Sequence, residues 1–159
     1  MQKVLQQLLR EQVSIRDLGT ILETLLDIAP VNKSPVLMVE AARQALSRTV
    51  VKPLLSDDGG LRVVTLEPGL EEELNRAYGA NATASNVAGL QPSLLRRVID
   101  SLKGVMGEQV AMVSPVLLCS TPARFHLRRL LEPFIPRVVV LSPGEIPPAV
   151  NVQSLGVVR

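Results

Sequence analysis

Tryptophan is absent from this chain, and aromatic residues make up 2% of it, carried by Tyr78, Phe125 and Phe134. Stacking platforms for single-stranded nucleic acid need exposed rings at successive positions, so that class of binder is excluded. The core must be built from Leu, Val, Ile and Ala. Cys119 is the only cysteine and His126 the only histidine. An intrachain disulfide and a thiolate or imidazole cage for a metal are ruled out, and neither a metal nor a cofactor is expected. One unpaired cysteine fits a reducing, cytoplasmic setting. Charge of neither sign dominates: 17 Lys and Arg against 15 Asp and Glu leave a net +2 over 159 residues. That is no polyanion footprint, and nucleic acid is not an expected partner. No stretch reaches the roughly 18 consecutive apolar residues of a membrane-spanning helix. The N-terminal MQKVLQQLLREQ is an amphipathic helix pattern without the apolar centre and small-residue site of a cleaved signal.

What is present is globular: 47% apolar and 20% charged residues, enough for one domain or two small ones. Residues 1–52 read as helices alone. Val4, Leu5, Leu8 and Leu9 recur at helical spacing. A break at Gln12–Val13 precedes a second helix, capped by Ser14, with Asp17 in its first turn and Ile15, Leu18, Ile21, Leu22, Leu25 and Leu26 as a wide apolar stripe. Pro30 stops it. Ser34-Pro35 starts a third, with Met38, Val39, Ala42, Leu46 and Val50 inward, and Pro53 ends it.

Ser56-Asp57-Asp58-Gly59-Gly60 reads as a linker. Beyond it strands and helices alternate: a strand at Leu61–Leu66, a helix from Pro68, a small polar stretch from Gly79 to Gly89 that reads as a mobile loop, and a helix from Pro92 to about Val110. Strands follow at Val116–Cys119, Val138–Leu141 and Val150–Val158, with a helix from Ser120 to Pro133. The fold class is α+β overall: an all-helical module (residues 1–56), then a small α/β domain (residues 57–159) with a partly parallel sheet.

Cys119, at the end of a strand and five residues before Arg124, suggests a hydrolase or phosphatase in which thiolate and guanidinium bind an oxyanion. The phosphatase-type loop has five intervening residues where this chain has four, and it uses glycines that are missing here. A buried Cys ending a core strand, with Ser120 or Thr121 as helix cap, is favoured. His126 has no carboxylate partner evident in sequence, and the consecutive Glu71, Glu72 and Glu73 point in different directions. The helix–break–helix from Leu8 to Leu26 has the outline of a helix-turn-helix DNA reader, yet Asp17 and Glu23 would repel phosphate. No phosphate-loop, dinucleotide or nucleophile-elbow motif occurs. The residues alone thus indicate no catalytic site and no enzyme.

Three stretches carry more. Val4 to Leu25 contains a leucine-rich helix, then V-S-I-R-D, then T-I-L-E-T-L. Pro115-Val116-Leu117-Leu118-Cys119-Ser120 precedes Arg124, Arg128 and Leu130-Leu131, and Glu145-Ile146-Pro147-Pro148 precedes Gln153-Ser154-Leu155-Gly156-Val157-Val158. In this order they resemble the type III secretion export-gate family, the FlhA/LcrD/InvA family of flagella and injectisomes, with a lean toward the flagellar branch. The resemblance implies a non-enzymatic fragment of a longer membrane-anchored protein, comprising most of the third and all of the fourth cytoplasmic subdomain. It implies a soluble piece at the cytoplasmic face of the bacterial inner membrane. The implied partners are neighbouring copies in a ring of nine, chaperone–substrate complexes and other export-apparatus proteins. Arg16, Arg43 and Arg48 are the basic side chains expected to face such neighbours.

Overall fold

The computed structural model describes residues 1–78, 92–107 and 114–159. The expected loop from Gly79 to Gly89 and the end of the helix expected to reach Val110 lie outside the described residues.

Helix α1 (Gln2–Arg10) ends by design of its last turn. Gln12 takes a left-handed conformation at φ 59°. The Val13 N–H bonds the Leu8 carbonyl and the Gln12 N–H the Leu9 carbonyl, and Val13 and Leu8 are both buried in one apolar cluster. These are the two backbone bonds and the apolar contact of a Schellman stop. The segment then runs extended, so α2 begins later than expected, at Leu18 (α2, Leu18–Ile28). Asp17, not Ser14, is its cap: the Asp17 carboxylate accepts the Thr20 N–H at 3.1 Å. The stripe on α2 is also divided. Ile21 and Leu25 are buried, whereas Leu18 is exposed and Leu26 is 72% exposed. Helix α3 (Pro35–Ala45) starts after Ser34 with proline in its first turn. Helix α4 (Ser47–Val51) and a 3-10 turn (Lys52–Leu54) complete this layer.

Strand β1 (Leu61–Leu66) opens the sheet, followed by α5 (Pro68–Tyr78), α6 (Pro92–Met106), β2 (Val116–Leu118), α7 (Thr121–Leu131), β3 (Val139–Leu141), a 3-10 turn (Pro143–Glu145) and β4 (Val152–Val158). The strand order is β3-β2-β1-β4 and every pairing is parallel, where the sequence led to a partly parallel sheet. Strand alternation explains the uninterrupted apolar runs. Leu61, Val63, Val116 and Leu141 point into the cluster formed by α1–α4. Val64, Leu66, Leu117 and Val140 point into the one formed by α5–α7. The sheet is thus the middle layer of three, and the N-terminal helices share a core with it.

On β4 a register shift places Val63 opposite Ser154 and Val64 opposite Gly156, leaving Leu155 as a bulge. A Cβ on Gly156 would lie 2.6 Å from Cγ1 of Val105 on α6. Glycine is required there because helix and strand approach too closely for a side chain. Gly156→Ala is expected to cost about 1–3 kcal/mol by overpacking. Val105→Ala in the same chain should recover much of it, measured by urea unfolding.

Candidate functional site

Five charged side chains from four separate segments meet at the end of the sheet, beside β3. Arg124 comes from the second turn of α7, Glu40 and Arg43 from one face of α3, Glu11 from the C-cap of α1 and Glu145 from the 3-10 turn after β3. Arg124 is fully buried, Arg43 is 2% exposed, and Glu40 and Glu145 are buried with them; the Glu11 side chain is buried too. Arg124 Nε donates to both Glu40 oxygens at 2.8 and 2.9 Å. Its Nη1 donates to Glu11 Oε2 at 2.7 Å and to the Val140 carbonyl at 3.2 Å. Arg43 Nη1 reaches the same Glu11 oxygen at 2.8 Å. Arg43 Nε and Nη2 grip the two oxygens of Glu145, whose Oε2 also accepts the Ser142 N–H at 3.1 Å. Gln7 Nε2 donates to Glu11 Oε1 at 2.8 Å.

The electrostatics follow from that packing. Burial pushes the Glu11 carboxyl up, but the Arg124 and Arg43 guanidiniums outweigh it and hold it at about 2. Burial raises Glu40 above the ordinary carboxyl range, and Arg124 only partly offsets it. Burial works against the charged form of Arg124, yet Glu11 and Glu40 raise it above the usual guanidinium value. Around the rim, Arg10 bonds Glu132 at 3.1 Å and the buried Arg128 lies 3.9 Å from the same carboxylate. Among the buried charges, Glu11, Glu40 and Glu145 balance Arg43, Arg124 and Arg128, which is what lets them leave water. The Val140 carbonyl sits on an edge strand, and two arginines occupy it, so the cluster also blunts that edge.

This arrangement sets aside a thiol enzyme. Cys119 is buried, and burial, with Glu71 adding, pushes its thiol up to about 12, so the thiolate needed for attack is scarce near neutrality. Arg124 spends its donors on Glu11, Glu40 and Val140 rather than on an oxyanion. Ser120 occupies the N-cap position of α7, but its hydroxyl donates to Asn75 Oδ1 at 2.8 Å and its N–H to Glu71 Oε1 at 2.6 Å. Native protein should resist iodoacetamide at neutral pH and react once unfolded in urea, as read by mass. His126 is buried on α7 with its ring edge-on to Phe125 at 5.4 Å. Burial, with Arg129 adding, lowers its pKa. No group of three His, Cys, Asp or Glu among the described residues is placed to hold a metal ion. A DNA-reading helix finds no support either: Asp17 is committed to capping α2.

Of the three arginines expected to face neighbours, Arg16 and Arg48 are exposed. Arg43 is not: it is closed off in the ionic cluster, because its phase on α3 turns it inward with Glu40. Glu11 and Glu145 stand in stretches that carry the family resemblance, but neither they nor Glu40 has an expected role in the sequence reading. For two of them a signal was readable: Glu40 and Arg43 share a helix face with buried Val39 and Ala42, and Ser142-Pro143-Gly144-Glu145 has the spacing of a capping box.

The three-layer fold is that of solved cytosolic domains of type III secretion proteins. The chain belongs to the FHIPEP family, whose model matches residues 1–151. It is 37% identical over 160 residues to the flagellar biosynthesis protein FlhA of Bacillus subtilis, a match covering 99% of this chain and 23% of that protein. The solved Chlamydia pneumoniae CdsV and CdsO protein complex includes a chain that superposes with a TM-score of 0.86 at 30% identity, covering 98% of this chain and 45% of that one. The nonameric EscV cytosolic domain from the type III secretion system superposes with a TM-score of 0.80 at 30% identity, covering 99% of this chain and 46% of that one. The chain therefore spans about a quarter of the length of the curated relative and just under half of the solved chains.

Proposed function

We propose that this chain is part of the cytosolic portion of a type III protein-export gate, and that it builds a ring with neighbouring copies and docks export substrates, chaperones and apparatus proteins. The observation that carries this reading is the match of nearly the whole chain, in sequence and in fold, to proteins of flagellar biosynthesis and type III secretion. The higher identity to a flagellar relative favours the flagellar branch. Residues 1–56 and 57–159 then serve as two subdomains of a longer, membrane-anchored protein at the inner membrane's cytoplasmic face. No helix among the described residues is long and apolar enough to cross a membrane. The work is contact, not catalysis.

The ring-facing surface is the outer face of α2 with its surroundings. Leu18 and Leu26 stand exposed there, the exposed Arg16 lies just before the helix, and Arg48 is exposed on α4. Exposed apolar side chains flanked by charge suit weak contacts that gain strength by repetition around a ring. Sedimentation velocity tests this. The chain should self-associate with rising concentration, and Leu26→Glu or Arg48→Glu should weaken association by roughly tenfold. Association unchanged in both variants would move the ring surface elsewhere.

A further inference from the structure

Helix α1 is nine residues long and buries Val4 and Leu8. A helix that short is marginal by itself, and it is fastened by its final carboxylate. Glu11 accepts from Arg43 of α3 and from Arg124 of α7 through one oxygen, Oε2. The other bonds of the cluster tie α3 to α7 through Glu40 and Arg124, and α3 to the turn after β3 through Arg43 and Glu145. Glu11–Arg43 ties α1 to α3 within the α1–α4 layer, while Glu11–Arg124, Glu40–Arg124 and Arg43–Glu145 join that layer to the layers behind it.

Buried ions behave differently from buried leucines. A charge out of water is stable only while all its partners are in place, and losing one leaves the rest expensive. A small slide of one layer over the other would break several of these bonds together. The intermediate positions are therefore penalised, and the layers are either fully seated or apart. Once apart, the same side chains are well hydrated, so separation is not opposed by the exposure of these groups to water. An apolar seam has neither property.

We propose that the Glu11–Arg43–Arg124–Glu40–Glu145 cluster is a latch that makes the α1–α4 layer and the sheet one cooperative body, and that loosening it lets this layer open while the sheet with α5–α7 stays folded. The proposal is independent of the ring and docking reading, since it concerns only contacts within the chain.

Hydrogen exchange followed by mass spectrometry tests it, on the chain and its Glu11→Gln variant. Glutamine keeps the shape but removes the charge that both guanidiniums share. The expected result is layer-selective: amides of α1 and α3 lose protection by roughly 100-fold or more, while those of β1, β2 and α6 keep theirs within about threefold. Arg43→Gln, which cuts the same layer from Glu145, should give the same pattern and serves if the first variant proves too unstable. Arg10→Ala, on the exposed rim, should leave the pattern unchanged. A uniform loss across both layers in the two cluster variants would reduce the cluster to ordinary stabilisation and overturn the latch. Protection unchanged in α1 and α3 would overturn it as well.

Discussion

Arg124→Met is expected to lower the unfolding free energy by about 3–5 kcal/mol, the range found when one partner of a buried ion pair is removed. In a chain of this size that is a fall in melting temperature of roughly 10 °C or more. The physical reason is asymmetry. Methionine fills much of the volume of Arg124, but Glu11 and Glu40 remain, two carboxylates with little water to turn to. The Val140 carbonyl loses its nearest donor as well. Urea unfolding monitored by circular dichroism measures the change. A loss below about 1 kcal/mol, the scale of an exposed pair, would mean that water reaches these groups. Replacing the entire cluster by apolar residues of similar volume is a different experiment, and it can be neutral.

Leu25→Ala is expected to cost about 2–5 kcal/mol, since Leu25 packs in the core between α2, α3 and the sheet. Leu26→Ala, one residue on, should change stability by no more than about 0.5 kcal/mol. The contrast fixes the rotation of α2, because the two side chains differ from 6% to 72% exposure across 100° of helix. Equal losses at both positions would mean that the outer face of α2 is packed in the free chain, and it would cease to be a docking surface.

The architecture was legible where the local chemistry had one solution. Ser34-Pro35, Pro68 and Pro92 each mark a helix start, and all three begin where the prolines stand. The apolar runs at Val63-Val64, Val116-Leu117 and Val139-Val140 announce strands covered on both faces, and a parallel sheet with helices on either side is what such runs build. The start of α2 was misplaced because Ser14 and Asp17 are equally good caps in isolation. The Schellman stop at Gln12, a local motif closed by Val13 reaching Leu8, is followed by extended chain through Ser14, and Asp17 caps the helix. The breadth of the α2 stripe misleads because an exposed leucine reads in sequence the same as one in the core.

The ionic cluster was the least legible part. In sequence Arg124 stands out for its closeness to Cys119, whereas its partners Glu40 and Glu11 lie 84 and 113 residues away. Arg43 and Glu145 are 102 residues apart. Pairing over such distances is a product of topology, and only the inward phase of Glu40 and Arg43 on α3 hinted that charge was being buried. An arginine on a helix is usually solvated, so Arg43 read as a surface group. Its burial places it in the interior, within the ionic cluster.

The most direct test of a contact scaffold is complementation. The chain is grafted in place of the matching 23% of Bacillus subtilis FlhA, and flagella and swimming are scored in cells lacking their own copy. The graft should restore both, its Cys119→Ser variant should do equally well, and its Leu26→Glu variant should fail while accumulating to the same level. Swimming abolished by Cys119→Ser, or preserved in full by Leu26→Glu, would contradict the account.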